Sequence, residues 1–456
     1  MALPNYFLAD CPPEAEITPG MLEEACRTLR ENRGRFLAHR TTESLAQTLG
    51  EVAAGWLERD NPFRQLALEE GPVQTGFSRS TLARGIDAFF RPLTAENWRA
   101  LVAQDLGHPR RLDRLSSAEV EGAGSRAALA TAPEFLVHVA AGNLPNPAWM
   151  SLLIGLLARS AQFMKCARGS SFFPRLLAHS IRDADPKLGA CIEIAEWKGG
   201  TQRLEEVLHR EADALTATGS DETLAALRRE IPPGVRFLGY GHRVSFAYVA
   251  ADQLRSAHLA RVVRRAADDV TAWNQLGCLS PHVIYVQDGA AVTPEAFAAQ
   301  LAAELAKREE AEPRGPIPMD AAATIASRRS FYEVRAANSP DTRLWTSPHS
   351  TAWTVVYEAA TLFQPSCLNR FIYVKAAGSL EDVLRGAESV RGRVSTVGLA
   401  VSDDSAPEAA TALARWGATR VCTLGRMQEP PLLWRHDGRP ALADLVTWTD
   451  WETGGI

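Results

Sequence analysis

The sequence predicts an α/β protein with two regions of parallel sheet behind a mainly helical N-terminal part. Three observations predict it. Up to about residue 130, apolar side chains recur at helical spacing. From Glu134, short apolar runs alternate with amphipathic stretches, the rhythm of strand–helix–strand units. The same alternation resumes from about Val244 to Leu424.

In chain order, residues 22–37, 44–57, 80–90 and 95–106 read as helices, and Thr94 supplies an N-cap hydroxyl for the last. Residues 135–139 read as a strand, followed by the turn Gly142-Asn143-Leu144-Pro145 and a helix from Pro147. Further strands are expected at 161–167, 191–197 and 214–218, with helices at 173–181, 204–210 and 221–229 between and after them. In the second region, a helix over 254–273 precedes a strand at 283–286 and a helix at 294–306. Strands at 353–357, 371–374, 393–401 and 420–423 complete it. The Pro- and Glu-rich connection 309–320 reads as exposed, and the tail from Met427, rich in Pro, Trp and Asp, as an ordered extended arm.

The 456 residues, 46% hydrophobic and 23% charged, suit a globular enzyme of two or three domains. A formal net charge of -5 leaves no basic footprint for nucleic acid. The seven cysteines are scattered without a CxxC pair, so neither a disulfide framework nor a zinc cluster is expected. That usage fits a reducing cytoplasm, and the N-terminus lacks the basic start and long apolar centre of a signal peptide. Residues 135–158 carry no Asp, Glu, Lys or Arg, but their polar turn leaves too short an apolar run to span a bilayer.

Cys278, in Gln275-Leu276-Gly277-Cys278-Leu279-Ser280-Pro281-His282, is the leading chemical candidate. A thiol after glycine and before a Ser-Pro turn is presented on a tight loop, as a nucleophile attacking a carbonyl carbon requires. A packed structural cysteine explains the local pattern equally well. Thr218-Gly219-Ser220, between a strand and a helix, can bring a pyrophosphate to backbone N–H groups or simply cap the helix. Lys165 and Arg168 end a strand of the first region, where ligands gather in parallel sheets; a pair of solvated charges is the alternative. Asn143 can donate to a developing oxyanion or to its own turn. His242 and His282 are candidates for proton delivery, or for local hydrogen bonding alone.

The series Asn143-Leu144-Pro145, Lys165-Cys166-Ala167-Arg168, Thr218-Gly219-Ser220, Leu238-Gly239-Tyr240-Gly241-His242-Arg243 and Gly277-Cys278 resembles the aldehyde dehydrogenase superfamily. Within it, the segment around Cys278 and the tail resemble the long-chain acyl-CoA reductase family, the fatty acid reductase of bacterial bioluminescence and its relatives. The tail signals are Gly425-Arg426-Met427-Gln428-Glu429-Pro430-Pro431, Trp434-Arg435-His436-Asp437-Gly438 and Trp448-Thr449-Asp450-Trp451-Glu452. The resemblance covers residues 134–452.

It implies an aldehyde-dehydrogenase-like fold: residues 1–130 packed on the cofactor domain, 131–243 Rossmann-like and nucleotide-binding, 244–426 catalytic and carrying the cysteine, and 427–456 a C-terminal arm. It implies Cys278 as the acyl-accepting nucleophile, with Asn143 and the Cys278 N–H as the oxyanion hole. Lys165 would hold the cofactor ribose, and Thr218, Gly219, Ser220 and Gly241 would line the nucleotide site. Arg168 stands where NAD-preferring members carry a glutamate, which implies NADPH. Gly239 stands where hydrolytic members carry their glutamate base, so an acyl-enzyme would escape water. The Glu-x-Phe-Gly-Pro motif has no clean match, and Phe363-Gln364-Pro365-Ser366 takes its place.

The expected activity is therefore NADPH-dependent reduction of a fatty acyl-CoA or acyl-carrier thioester to the aldehyde. A homo-oligomer, and a complex with an acyl-activating or acyl-transferring partner, are implied as well. A cysteine acyltransferase or thioesterase without nicotinamide, and a non-catalytic scaffold, remain as alternatives.

Overall fold

Hydroxyl N-caps start most of the N-terminal helices. In the computed structural model, which describes residues 3–12, 14–117, 126–142 and 144–452, helices run over Pro19–Asn32, Thr42–Leu57, Pro62–Thr75, Arg79–Phe90 and Ala95–Leu106. Thr18, Thr41, Ser78 and Thr94 each accept a hydrogen bond from the backbone N–H three residues on. The helix Pro62–Thr75 was not expected, because Gly71-Pro72 breaks its sequence pattern. Gly71 is there for contact: a Cβ would lie 2.7 Å from Leu82 and 3.0 Å from Phe173.

The last four of these helices bury their apolar faces against the helices Asn146–Leu157 and Phe172–Ala184, whereas Pro19–Asn32 packs Leu22, Cys26 and Leu29 against the opposite face of the first sheet, with Phe135, Phe163 and Leu208. Trp56 stacks on Phe90 at 4.9 Å, and Phe89 lies 5.0 Å from Trp149. Both indoles are satisfied, Trp56 by Ser180 Oγ and Trp149 by the Phe173 carbonyl, each at 2.9 Å.

The first strand, β1 (Arg126–Thr131), stands outside the two large sheets. β2 (Phe135–Ala140), β3 (Ala161–Cys166), β4 (Ile192–Glu196), β5 (Ala214–Thr218) and β6 (Arg236–Tyr240) form a parallel sheet in the order β4-β3-β2-β5-β6. Helices cover both faces, which is why β3 is buried at every residue. β6 escapes sequence reading because it is an edge strand with Arg236 and Gly239 breaking its apolar run.

β7 (Val244–Val249), β8 (Pro281–Gln287), β9 (Thr342–Thr346), β10 (Thr354–Glu358), β11 (Phe371–Ala377), β12 (Val394–Ala400) and β13 (Val421–Thr423) make the second sheet, ordered β13-β12-β7-β8-β11-β10-β9. All its pairings are parallel except that of β9 with β10. β14 (Thr447–Glu452) returns the chain to pair antiparallel with β1.

Two expectations need correction. The helix expected over 254–273 runs only over Ser256–Thr271, and Trp273, Asn274 and Gln275 then take left-handed backbone angles. The connection 309–320 is not simply exposed. The helix Pro294–Ala311 takes its first residues, and Arg314 is buried, donating to the Thr351 carbonyl at 2.5 Å. No helix among the described residues is long and apolar enough to cross a membrane.

Candidate active site

The cysteine loop is held in an unfavourable backbone conformation by distant side chains. Three consecutive non-glycine residues with positive φ, Trp273, Asn274 and Gln275, cost about 1 to 2 kcal/mol each without compensation. Asn274 Nδ2 donates to the Arg314 carbonyl at 2.8 Å, and Gln275 Nε2 donates to the Pro281 and Phe371 carbonyls at 2.7 and 2.9 Å. A second left-handed triplet, Leu368, Asn369 and Arg370, faces the first. The fully buried Arg370 joins them. Its Nε donates to Asn274 Oδ1 at 3.1 Å, and its Nη1 donates to Glu309 at 2.8 Å and to the Glu312 carbonyl at 2.9 Å.

Cys278 follows on a short turn closed by Ser280 N–H on the Gly277 carbonyl at 2.9 Å. Ser245 Oγ, at the start of β7, donates to the Cys278 carbonyl at 2.7 Å. Gly277 allows two segments to close on the loop. A Cβ there would lie 2.9 Å from Gln428 Nε2 and 3.2 Å from Leu144 Cδ1. Gln428 also hydrogen-bonds Ser280 Oγ. Leu144 thus brings the turn after β2 onto the cysteine loop; Asn143 itself lies outside the described residues.

Cys278 is half-buried, and its thiol is pushed up to about 12. Burial is the main cause and the Asp437 carboxylate the next; the loop backbone, Ser395 and Arg243 act in the opposite direction. At neutral pH such a thiol is held in its protonated form, so it needs a proton acceptor to react.

The two histidines differ. His282 is buried, accepts from Ser366 N–H on Nδ1 at 3.0 Å, and is driven down to about 4 by burial, so it is neutral with its proton on Nε2. His242 is exposed, and its backbone N–H donates to Asp221 Oδ1 at 3.0 Å. Among the described residues no hydrogen bond joins either ring to Cys278. Gly241 is required by the same contact, since a Cβ there would lie 2.4 Å from Asp221 Oδ1. The residues Phe363 to Ser366 reach His282 through Ser366.

Across the junction between the sheets, Lys165 ends β3, buried, with Nζ 5.8 Å from the Trp197 ring centroid. Burial lowers its pKa. Among the described residues it has no ion-pair partner within 4.0 Å, and Trp197 Nε1 beside it has no hydrogen-bond partner. These are donors without acceptors, a set that ribose hydroxyls satisfy. Thr218 and Gly219 end β5, and Ser220 Oγ caps the helix Asp221–Glu230 through Thr223 N–H at 3.2 Å. Arg168 is exposed on the turn after β3. The same turn is fixed by Glu196, which accepts from Gly169 N–H at 2.7 Å and from Ser171 N–H at 3.0 Å.

Several residues with a role here carried no local signal: Arg370, Asn274 and Gln275 brace the loop, and Asp437, Arg243 and Ser395 act electrostatically on the thiol. The Asp437-Gly438 dipeptide signals a turn, but nothing in the sequence marks its carboxylate as buried.

Comparisons with known proteins agree with this fold. The structure is similar to an NAD-dependent benzaldehyde dehydrogenase from Corynebacterium glutamicum, with a TM-score of 0.70 and 14% identity over 98% of this chain and 94% of that one. It is also similar to a putative aldehyde dehydrogenase from Anabaena variabilis, with a TM-score of 0.70 and 16% identity over 97% and 95%. In sequence, it is 24% identical over 325 residues to a long-chain acyl-protein thioester reductase of Aliivibrio fischeri. A protein of the same name from Photorhabdus laumondii is 23% identical over 322 residues. Each alignment spans 69% of this chain and 63% of the relative, just under two thirds of its length. The family model of acyl-CoA reductase (LuxC) matches residues 37–448, starting well before Glu134, where the motifs begin. The chain has the aldehyde dehydrogenase fold and belongs to the acyl-CoA reductase (LuxC) family.

Proposed function

We propose that this chain reduces a long-chain fatty acyl-CoA thioester to the aldehyde with NADPH, through an acyl intermediate on Cys278. The observation that carries the reading is the braced loop that presents Cys278 where the turn after β2 and the C-terminal arm converge. The Cys278 sulfur attacks the thioester carbonyl, and the CoA thiolate leaves. The Cys278 N–H and Asn143 are the donors assigned to the oxyanion. Gly239, at the end of β6, offers no side chain to activate water, so the acyl group awaits reduction. Lys165 and Trp197 would hold the ribose, Thr218 to Ser220 the nucleotide, and Arg168 the 2′-phosphate. NADPH, when bound, supplies the hydride that turns the acyl group into an aldehyde. Cys278 then departs as thiolate and is reprotonated.

The relatives' name adds acyl-protein thioesters to the donor class, so an acyl-carrier partner belongs to the same proposal. A homo-oligomer in the cytoplasm, with residues 131–243 binding the cofactor and 244–426 carrying the cysteine, completes it.

The test is Cys278→Ala, mixed with acyl-CoA and NADPH and compared with the unaltered chain. Aldehyde formation should fall to background, and mass spectrometry should find the acyl adduct on the Cys278 peptide only in the unaltered chain, before NADPH is added. Undiminished aldehyde from the variant rules the reading out. An adduct with no NADPH binding favours the acyltransferase.

A further inference from the structure

A cavity of about 360 Å³ lies beside the bend that leads into the cysteine loop, within the size range of small-ligand sites. The helix Arg79–Phe90 gives it the small side chains of Thr81 and Ala88 and the bare backbone of Gly85. Trp273 supplies an aromatic wall, and the turn into the C-terminal arm closes it with Gly425 and Gln428.

Two residues tie this cavity to the loop of the reacting sulfur. Trp273 opens the left-handed triplet that runs into that loop. Gln428 crosses from the cavity wall to the loop itself. It hydrogen-bonds Ser280 Oγ, and a Cβ on Gly277, the residue before Cys278, would lie 2.9 Å from its Nε2. The other end of the Gln428 amide has no protein partner among the described residues, so it is left for an amide of a ligand.

The charges around the cavity are matched, with one exception. Arg84 lies 3.2 Å from Glu312, and Asp268 accepts from Arg308 at 2.7 Å. Arg426 pairs with Glu429 at 2.6 Å, and Asp269 accepts from the N–H groups of Gly425 and Met427 at 2.5 and 2.9 Å. Arg265, exposed at the rim, has neither an ion pair nor a hydrogen bond among the described residues. Its stem is nonetheless held. Gly425 has a φ of 89°, and a Cβ there would lie 2.8 Å from both Arg265 Cβ and Cγ, so the backbone passes hard against it. Six residues (271 − 265 = 6) separate Arg265 from the end of its helix at Thr271, about 9 Å along the axis. The wall thus offers one unmatched guanidinium, one half-used amide, small side chains and an indole. A fatty chain alone would need neither the cation nor the amide. A phosphopantetheine arm, with one phosphate, two amides and a dimethyl carbon, matches all four.

We infer that this cavity admits the arm of a 4′-phosphopantetheine thioester, with Arg265 on its phosphate and Gln428 on an amide beside the cysteine loop. The inference deepens the function proposed above and rests on it for the reacting end. CoA and an acyl-carrier protein present this same arm, the first through a diphosphate and the second through a phosphodiester. Arg265 and Gln428 set specificity and take no part in bond making. The arm comes in past the helix Arg79–Phe90 and NADPH over the ends of β3 and β5, so both fit at once.

The test begins with binding, by titration calorimetry of 4′-phosphopantetheine and of pantetheine into the full chain. The phosphorylated ligand should bind about 10-fold more tightly, the range of a charge-assisted contact, and should still bind when NADPH is saturating. Arg265→Gln should reduce its affinity to that of pantetheine and leave pantetheine unaffected. Ala88→Leu, with an unaltered Tm as the check on folding, should weaken both by filling the cavity. Steady-state reduction follows, with one long-chain acyl group carried by CoA, by an acyl-carrier protein or by pantetheine. Arg265→Gln should raise KM about 10-fold at constant kcat for the donor that uses the site, which identifies that donor, and leave acyl-pantetheine unchanged. Equal affinity for the two ligands overturns the inference, as does equal loss of both in Arg265→Gln, which marks a structural role. So does displacement by NADPH, which would put the arm in the cofactor site, or a KM unmoved for both phosphate-bearing donors. Phosphate-dependent binding that Arg265→Gln abolishes, in a chain that reduces none of the donors, upholds the channel and sinks the proposed function instead.

Discussion

The two sides of the proposed cleft are built in opposite ways. On the five-stranded sheet, Lys165, Arg168, Thr218, Gly219 and Ser220 stand at the ends of β3 and β5, each placed by its own strand, turn or helix cap. On the cysteine side almost nothing is local. The loop takes its shape from Arg314, Phe371 and Arg370, and its cover from Leu144 and Gln428. The first side tolerates change residue by residue, because each group is held independently. The second is a network whose members depend on one another.

The largest effect should come from cutting that network. Arg370→Met leaves Asn274 Oδ1, the Glu312 carbonyl and Glu309 without their buried partner, and frees two left-handed triplets at once. Breaking a buried pair of this kind costs about 3 to 5 kcal/mol. Lys165→Met, on the other side, removes a buried cation that lacks an ion-pair partner among the described residues. Urea unfolding should therefore find it neutral or slightly more stable, with nicotinamide binding weakened. Equal destabilisation by the two substitutions would break the contrast.

The same contrast explains what the sequence disclosed. Strands β2 to β5 were legible because a parallel sheet buried on both faces writes itself as apolar runs between helices. The position of Cys278 was legible because Gly277 and the Ser-Pro turn are local signals. The bend at Trp273, Asn274 and Gln275 was not. None of the three is glycine, and their backbone angles are stabilised by Arg370 and Phe371, nearly a hundred residues away. Arg370, Asp269 and Asp437 look like surface charges in sequence, and only the fold makes them buried ones. Asp437 falls in a tail segment whose wording marked the family but not the burial of its carboxylate beside Arg243.

A smaller effect separates two glycines. A Cβ on Gly85 would lie 2.1 Å from Trp273 Cζ2, on the buried indole that opens the strained triplet. Gly85→Ala should cost about 1 to 3 kcal/mol. At Gly219 the nearest atoms to a new Cβ are those of Thr223 at 3.4 and 3.5 Å, ordinary contact distances. Gly219→Ala should leave stability nearly unchanged and act, if at all, on cofactor binding.

Asp269 adds a pH dependence to the cysteine side. Burial raises its carboxyl from 3.8 to about 7, against the two N–H groups of the arm that favour the charged form. Between those two values the folded chain holds a proton that the unfolded chain has released. Stability from this group is then present in acid and lost as pH climbs toward 7, the reverse of an ordinary salt-bridged Asp. Asp269→Asn should flatten the fall of Tm between about pH 4 and 7. An unchanged slope would place the titration elsewhere.

The finest test lies on the five-stranded side, where two opposite charges share one turn. Arg168 points toward solvent on the turn after β3, while Glu196, ending the neighbouring β4, grips that turn through Gly169 and Ser171. A 2′-phosphate there would be drawn by the guanidinium and repelled by the carboxylate. Arg168→Glu should lower the NADPH/NADH ratio of kcat/KM by about 5- to 10-fold, the modest range of an exposed charge contact. Half a molar salt should erase most of the difference. Glu196→Gln should move the ratio the other way and by less, because the substitution removes a repulsion but also loosens the turn that carries Arg168. If Arg168→Glu leaves the ratio unchanged at low salt, the arginine does not meet the phosphate. Cofactor choice would then rest on the buried donors at Lys165 and Trp197, and the two sides of the cleft would be more alike in construction than their hydrogen bonds suggest.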